Sequence, residues 1–331
     1  MRILAFHLIV ALLTFIVGVT ASTFVSNFNL KSPQPDDIGK PHGNRLAARN
    51  GVSSPATEPD GGDAAAVAQT VRSLRRISTD FLHYDDVPVA ARPLLTCLKH
   101  QLRDLISSTI NAESNGSDTP QQLRTLILTQ LRNDGVTMTA EEPEEDVADE
   151  NNLDPPYVYG DIFDISIEQP GGHPELLVAT TTIGVCCGAD TSLYLFKKSG
   201  DGWKLTLAQE AGEYEDVSGA HGSFQYEISK PDGNGNFFVA TANVNPWCTS
   251  NWQSLRYSVM RVGPSAYQPR VLLNASDTIY LGVDQPYNLD VKGNSFSLDF
   301  EGESKNPDEL NRRHFLKYRV SLNHVTRVAR K

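Results

Sequence analysis

The residues best suited to chemistry fall in one connection, Glu210–Gly222, which gathers Glu210, Glu213, Tyr214, Glu215, Asp216 and His221. Carboxylates beside a histidine can move protons at neutral pH or surround a divalent ion. Glu213, Asp216 and His221 are therefore the candidate catalytic residues of a hydrolase. A second group runs Asn243-Val244-Asn245-Pro246-Trp247-Cys248-Thr249-Ser250-Asn251-Trp252. Its aromatic faces and amides, Trp247, Trp252, Asn243 and Asn245, suit a carbohydrate or peptide ligand through stacking and hydrogen bonding. The chain contains no Gly-x-Ser-x-Gly elbow, His-Glu-x-x-His or phosphate-binding glycine loop, so no motif fixes a reaction. No metal site and no cofactor are expected. Asp232-x-Asn234-x-Asn236 opens like a calcium loop but lacks the following glycine and the distal glutamate, and reads as a turn.

The cysteines follow from the same region. Cys248 pairs most economically with Cys186 or Cys187, closing a loop of about sixty residues for on the order of 3–4 kcal/mol in the chain-entropy model. A bridge between the adjacent Cys186 and Cys187 would strain the backbone. The chain has no Cys-x-x-Cys to tune a thiolate. Cys97 lies beside an apolar helical stripe and is expected to be a buried, inert thiol.

Such a bridge requires an oxidising compartment, and the N-terminus supplies the address. Arg2 precedes an apolar run from Ile3 to Val19, and Val19-Thr20-Ala21 offers small residues for cleavage. Residues 1–21 are a signal peptide or, if uncleaved, a membrane anchor touching the bilayer through residues 3–20. Either outcome exports the rest, to a periplasmic or extracellular location, soluble or tethered. Residues 22–62, rich in Pro, Gly, Ser and Asp, form a disordered tether.

The elements that must position these residues change period along the chain. Residues 63–137 read as a small helical region. An Asp63 cap precedes Val67, Val71 and Leu74, and the stripe Leu94, Leu95, Leu98, Leu102, Leu105, Ile106 and Ile110 marks a stronger helix. Thr119-Pro120-Gln121-Gln122 is a capping box with proline at the first helical position. Lys99, Arg103 and Arg124 read as a solvated helix face. Residues 138–156 carry eight carboxylates and no base, a self-repelling acidic linker. From Tyr157 the period becomes twofold. Leu176–Val185 reads as a strand buried on both faces, and Lys198-Ser199-Gly200-Asp201-Gly202 as a hairpin turn. Later strands are expected at Phe224–Ile228, Phe237–Val244, Leu255–Val262, Val271–Leu273, Ile279–Val283, Tyr287–Val291, Phe296–Phe300 and Phe315–Leu322. Residues 157–331 thus form an all-β antiparallel domain, a sandwich, barrel or propeller-like fold. The whole chain is α+β.

The net charge of −11 is concentrated in the acidic linker, which excludes a nucleic-acid binder with a broad basic face. Residues Arg312–Lys331 hold seven bases and no acid, a strand with a basic face that is expected to be solvated or to meet the acidic linker. The leading expectation is an exported, non-catalytic binding or structural module of the cell envelope or exterior. Its ligand face would be the loops 184–190, 210–222 and 243–252. The alternative is an envelope hydrolase using the Glu213, Asp216 and His221 loop, with or without a divalent ion.

Overall fold

Helix ends follow local capping chemistry. The computed structural model describes residues 63–77, 87–112, 119–136, 138, 159–185, 188–200, 202–212, 214, 219–246, 250–263, 269–282, 286–304 and 311–329. Helix α1 (Ala64–Leu74) starts at Asp63, whose carboxylate accepts from Ala65 N at 2.9 Å. Helix α2 spans Ala91–Ala112 and α3 spans Pro120–Asn133. The α3 capping box is complete: Gln122 N donates to Thr119 Oγ1 at 3.3 Å, and Thr119 N donates to Gln122 Oε1 at 2.7 Å. Each helix buries an apolar stripe, with Val67, Val71 and Leu74 on α1, Leu95, Leu98, Leu102 and Ile106 on α2, and Leu123, Ile127 and Leu131 on α3. Cys97 is free and exposed, not buried. It lies about 100° round the helix from Leu98, off the stripe.

Among the described residues, twelve strands form three antiparallel meanders of four, each in chain order. Sheet 1 contains β1 (Ile162–Glu168), β2 (Leu176–Val185), β3 (Gly188–Ser199) and β4 (Gly202–Gln209). Sheet 2 contains β5 (Phe224–Ile228), β6 (Phe237–Val244), β7 (Trp252–Val262) and β8 (Arg270–Tyr280). Sheet 3 contains β9 (Tyr287–Lys292), β10 (Ser295–Glu303), β11 (Asn311–Val320) and β12 (Val325–Arg327). Two expected strands, near 271 and 279, are one continuous β8, because β7 is long enough to pair with it throughout, across one irregularity. The short β12 carried no apolar alternation to announce it.

Alternation of side chains explains how the sheets stack. On β2, Leu177, Ala179, Ile183 and Val185 join the helices in one core, while Leu176 and Val178 turn the other way, onto Phe237 and Val239 of β6. On β6 itself, Phe238, Ala240, Ala242 and Val244 face sheet 3. Helices, sheet 1, sheet 2 and sheet 3 are therefore four successive layers. Strand β6 is buried at every position because a layer covers each of its faces, as periods of uninterrupted apolar sequence require. The helical region shares its core with sheet 1, and all described residues belong to one compact unit, Thr57–Lys331.

Polar links fix the same layers. Arg75 pairs with Asp161 at 2.7 Å, and Arg124 Nε donates to Ile165 O at 2.6 Å. Gly160, at φ +79°, lies so close to α1 that a Cβ there would sit 2.4 Å from Leu74 Cδ1. The outer face of sheet 3 is mixed in charge, since Arg313 pairs with Asp299 at 2.7 Å and Lys292 with Asp290 at 2.7 Å. Carboxylates of β9 and β10 thus offset part of the basic strand β11.

Each fully buried leucine contributes roughly 2 kcal/mol by removal from water, so sheet 1 without its helices would lose a whole core. A fragment starting at residue 157 is expected to aggregate or to lack a cooperative urea transition. A fragment that unfolds cooperatively near the midpoint of the intact chain would contradict the shared core.

Candidate functional site

The loop singled out for chemistry is held down by a buried ion pair. Lys99 of α2 and Asp190 of β3 are 1% and 0% exposed, with Nζ 3.3 Å from Oδ2. Lys99 Nζ also donates to Ala211 O at 2.7 Å and lies 4.5 Å from the centre of the Tyr214 ring. The same Asp190 Oδ2 accepts from Tyr214 Oη, and Oδ1 accepts from His221 N at 2.8 Å. One carboxylate thus ties a helix and both ends of the 210–222 connection to sheet 1. Lys99 is not on a solvated face. It falls four residues after Leu95 and three before Leu102, inside the apolar stripe, and that spacing was the signal for its burial.

The surroundings keep the two tyrosines of this cluster protonated. Burial, followed by the charge of Asp190, holds the Tyr214 phenol far above its ordinary range. Tyr194, whose hydroxyl donates to Lys99 O at 3.3 Å, is raised by burial and then by Glu210. Both stay neutral donors, and the Lys99 ammonium and the Asp190 carboxylate are hydrogen-bonded. Glu210 is engaged at the rim by Arg103 at 3.3 Å.

His221 is placed by the same network. Burial lowers its pKa, opposed by Asp190 and by its bond to Thr191, with Lys99 and Arg256 lowering it further. Nδ1 lies 3.3 Å from Thr191 O. A carbonyl only accepts, so the neutral ring carries its proton on Nδ1. Asp190 accepts from the backbone of His221 and not from its ring, so these two do not form a His–Asp dyad. Glu213 and Asp216, the partners expected for His221, lie outside the described residues. Among the described residues no three His, Cys, Asp or Glu side chains converge as a metal set. Asp232 closes a turn, its Oδ1 accepting from the backbone of Asn234 and Asn236 at 2.9 Å.

Beyond His221 lies the space between sheets 1 and 2, apolar at one end and polar at the other. On the β6–β7 face directed at sheet 1, Phe237, Val239, Met260 and Val262 give way to Thr241, Asn243, Ser258 and Arg256. Thr241 and Ser258 share a hydrogen bond of 2.8 Å, and Gln209 Nε2 of β4 donates to Thr241 Oγ1 at 3.2 Å. Asn243 and Asn245 are only 4% and 7% exposed. Yet Asn243 Nδ2, Asn245 Oδ1 and Gln209 Oε1 have no hydrogen-bond partner among the described residues. Buried amides without partners cost about 1–3 kcal/mol each, and so mark a place where a bound group or water completes them. Trp252, at the start of β7 on the same face, packs against Tyr280 of β8 with centroids 5.0 Å apart.

Asn243, Asn245, Trp252 and His221 are thus brought to one end of sheet 2, while Trp247 and Cys186, Cys187 and Cys248 lie outside the described residues. Their described neighbours Gly188 and Pro246 meet: a Cβ on Gly188 would be 2.7 Å from Pro246 Cβ. Sequence reasoning missed Arg256, because alternation along β7 marks its face but not what covers it. No known protein family matches the chain, and no curated protein matches it.

Two outcomes test this network. Lys99→Met strands a buried carboxylate and is expected to cost about 3–5 kcal/mol. Adding Asp190→Asn to it should cost less than the two single losses summed, as read by urea denaturation. The second outcome concerns pH. Folding depresses the His221 pKa, so below about pH 6.5 the unfolded chain binds a proton that the folded chain refuses. The stability contributed by neutral His221 is complete above that pH and declines as pH falls. Subtracting the pH profile of His221→Gln should isolate this decline; parallel profiles would refute it.

Proposed function

We propose that this chain is an exported, non-catalytic binding or structural module of the cell envelope or exterior. Its ligand would be a carbohydrate or peptide held at the loop end of sheet 2. The observation that carries the binding reading is the set of buried amide atoms, unpartnered among the described residues, of Asn243 and Asn245 at the end of β6 and of Gln209 on the facing strand β4, beside the strand that presents Trp252. Amides fix orientation through paired donors and acceptors, and an aromatic pair offers an apolar platform at low entropic cost. Export rests on the apolar residues 3–19 and the small residues before position 22. The described residues contain no helix long and apolar enough to cross a membrane, and the leader lies outside them.

A screen of neutral oligosaccharides and acetylated peptides, read by tryptophan fluorescence and calorimetry, tests the reading. Trp252→Ala should weaken whichever probe binds by about tenfold, the ~1–1.5 kcal/mol of one aromatic contact, with unfolding temperature retained. Unchanged affinity would place the ligand elsewhere. The hydrolase alternative would be supported instead if Glu213→Gln and His221→Ala abolished turnover of such a probe.

The same compartment implies a bridge from Cys248 to Cys186 or Cys187, a proposal supported by the contact of Gly188 with Pro246. The unreduced chain should weigh two hydrogens less than the reduced one. Equal masses would dismiss the bridge.

A further inference from the structure

The loop end of sheet 2 holds a positive charge that no described residue answers. Among the described residues, the half-buried arginines Arg92, Arg103, Arg124 and Arg261 each reach a carbonyl or a carboxylate. Arg256 is also half-buried but makes no hydrogen bond and no ion pair among them. A guanidinium offers five donors and no acceptor, and stays charged at any physiological pH. Leaving one half out of water with no anion beside it is costly, unless a ligand supplies that anion.

Its neighbours select the kind of anion. Arg256 pairs in register with Asn243 on β6 and with Ser276 on β8. The rows on either side, through Thr241 and Ser258 and through Ser254 and Thr278, carry no acid. Asp277 points to the opposite face, where it accepts from Tyr257 Oη at 2.9 Å. The row therefore presents a free guanidinium and, beside it, the buried Asn243 Nδ2 that lacks an acceptor. Both want oxygen lone pairs. The planar fork of arginine matches a carboxylate bidentately. On the open side, Ser276 and Thr278 of the edge strand β8 are exposed, so a ligand can enter there. Trp252 stands four residues along β7 from Arg256, roughly 13 Å away at the rise of a strand. That distance suits one group at the arginine and a ring or apolar body at the aromatic pair.

We propose that Arg256 and Asn243 form a carboxylate-binding site, so that the ligand of this face is an acidic one, anchored by its carboxylate and extended toward Trp252. The proposal rests on the binding reading above and adds the chemistry of the ligand. A carboxylate of this kind comes from an acidic sugar or from the C-terminus of a peptide.

Calorimetry on the intact chain separates these sources. The probes are a glucuronic-acid disaccharide with its neutral glucose counterpart, and an acetylated tripeptide with a free C-terminus alongside its C-terminal amide. The acid form of one pair should bind, and its neutral form should bind at least about tenfold more weakly, as loss of a charge-assisted bidentate contact requires. Arg256→Gln should remove that preference, and Arg256→Lys should restore only part of it. Ser276→Glu is a second variant that does not depend on tolerance of a change at Arg256. Placed on the exposed edge strand, it supplies an internal carboxylate to the guanidinium and should abolish acid binding while leaving the unfolding temperature unchanged or raised. Acid and neutral forms that bind alike, or acid binding that survives both Arg256→Gln and Ser276→Glu, overturn the carboxylate site and leave the binding module standing. Failure of all four probes and of the neutral screen to bind overturns both.

Discussion

The buried pair of Lys99 and Asp190 is the constraint on which the candidate site depends. An ammonium and a carboxylate removed from water give little net stability, because desolvation offsets most of their attraction. What they give is a fixed arrangement, since each must keep its partners. Asp190 meets this by accepting from Lys99, from Tyr214 and from the backbone of His221. Those three contacts belong to a helix and to two points of one long connection. The connection is consequently seated, and with it Gly222, where a Cβ would lie 2.5 Å from Val244 O on β6. The position of the loop end relative to sheet 2 follows from that seating.

The layered stack explains why the site has the character it has. Strands covered on both faces must be apolar on both, and β2 and β6 largely obey this. Further along the same face, which stays buried, hydrogen-bonding side chains replace the apolar ones. The transition runs along β6 from Val239 through Thr241 to Asn243. The rigid strands hold these buried polar groups in fixed register. Buried tyrosines reinforce the frame elsewhere. Tyr287, which donates to Ser223 O at 2.7 Å, is pushed by burial up to about 12 and bonds across from sheet 3 to the segment entering β5.

Much of the fold was legible in the sequence because its signals are local. Asp63 and the Thr119–Gln122 box set helix starts through contacts within a few residues. The hairpins around Gly200 and Gly235 use the positive φ that glycine permits. Strand β8 was less legible, since Asn274, Ser276, Asp277 and Thr278 look like loop residues. It exists because β7 offers a complete ladder for it, and an edge strand tolerates exposed polar side chains. Residue type singled out Asn243, Asn245 and Trp252 as candidates, and spacing in the helical stripe marked Lys99 as buried, whereas the carboxylate that Lys99 meets and the cover over Arg256 are both remote in sequence.

The sequence by itself therefore determined the elements: three amphipathic helices, two of them with legible caps, twofold strands from 162 onward, and one strand, β2, with apolar residues on both faces. Capping, turn geometry and periodicity are properties of neighbouring residues, and the chain carries them wherever it goes. Only the tertiary structure decided which charges are satisfied. Lys99 finds its carboxylate 91 residues away, and Arg256 stands in a row of neutral side chains contributed by three strands. Burial of a charge depends on what packs over it, and that is fixed by the order of the layers, not by any local pattern.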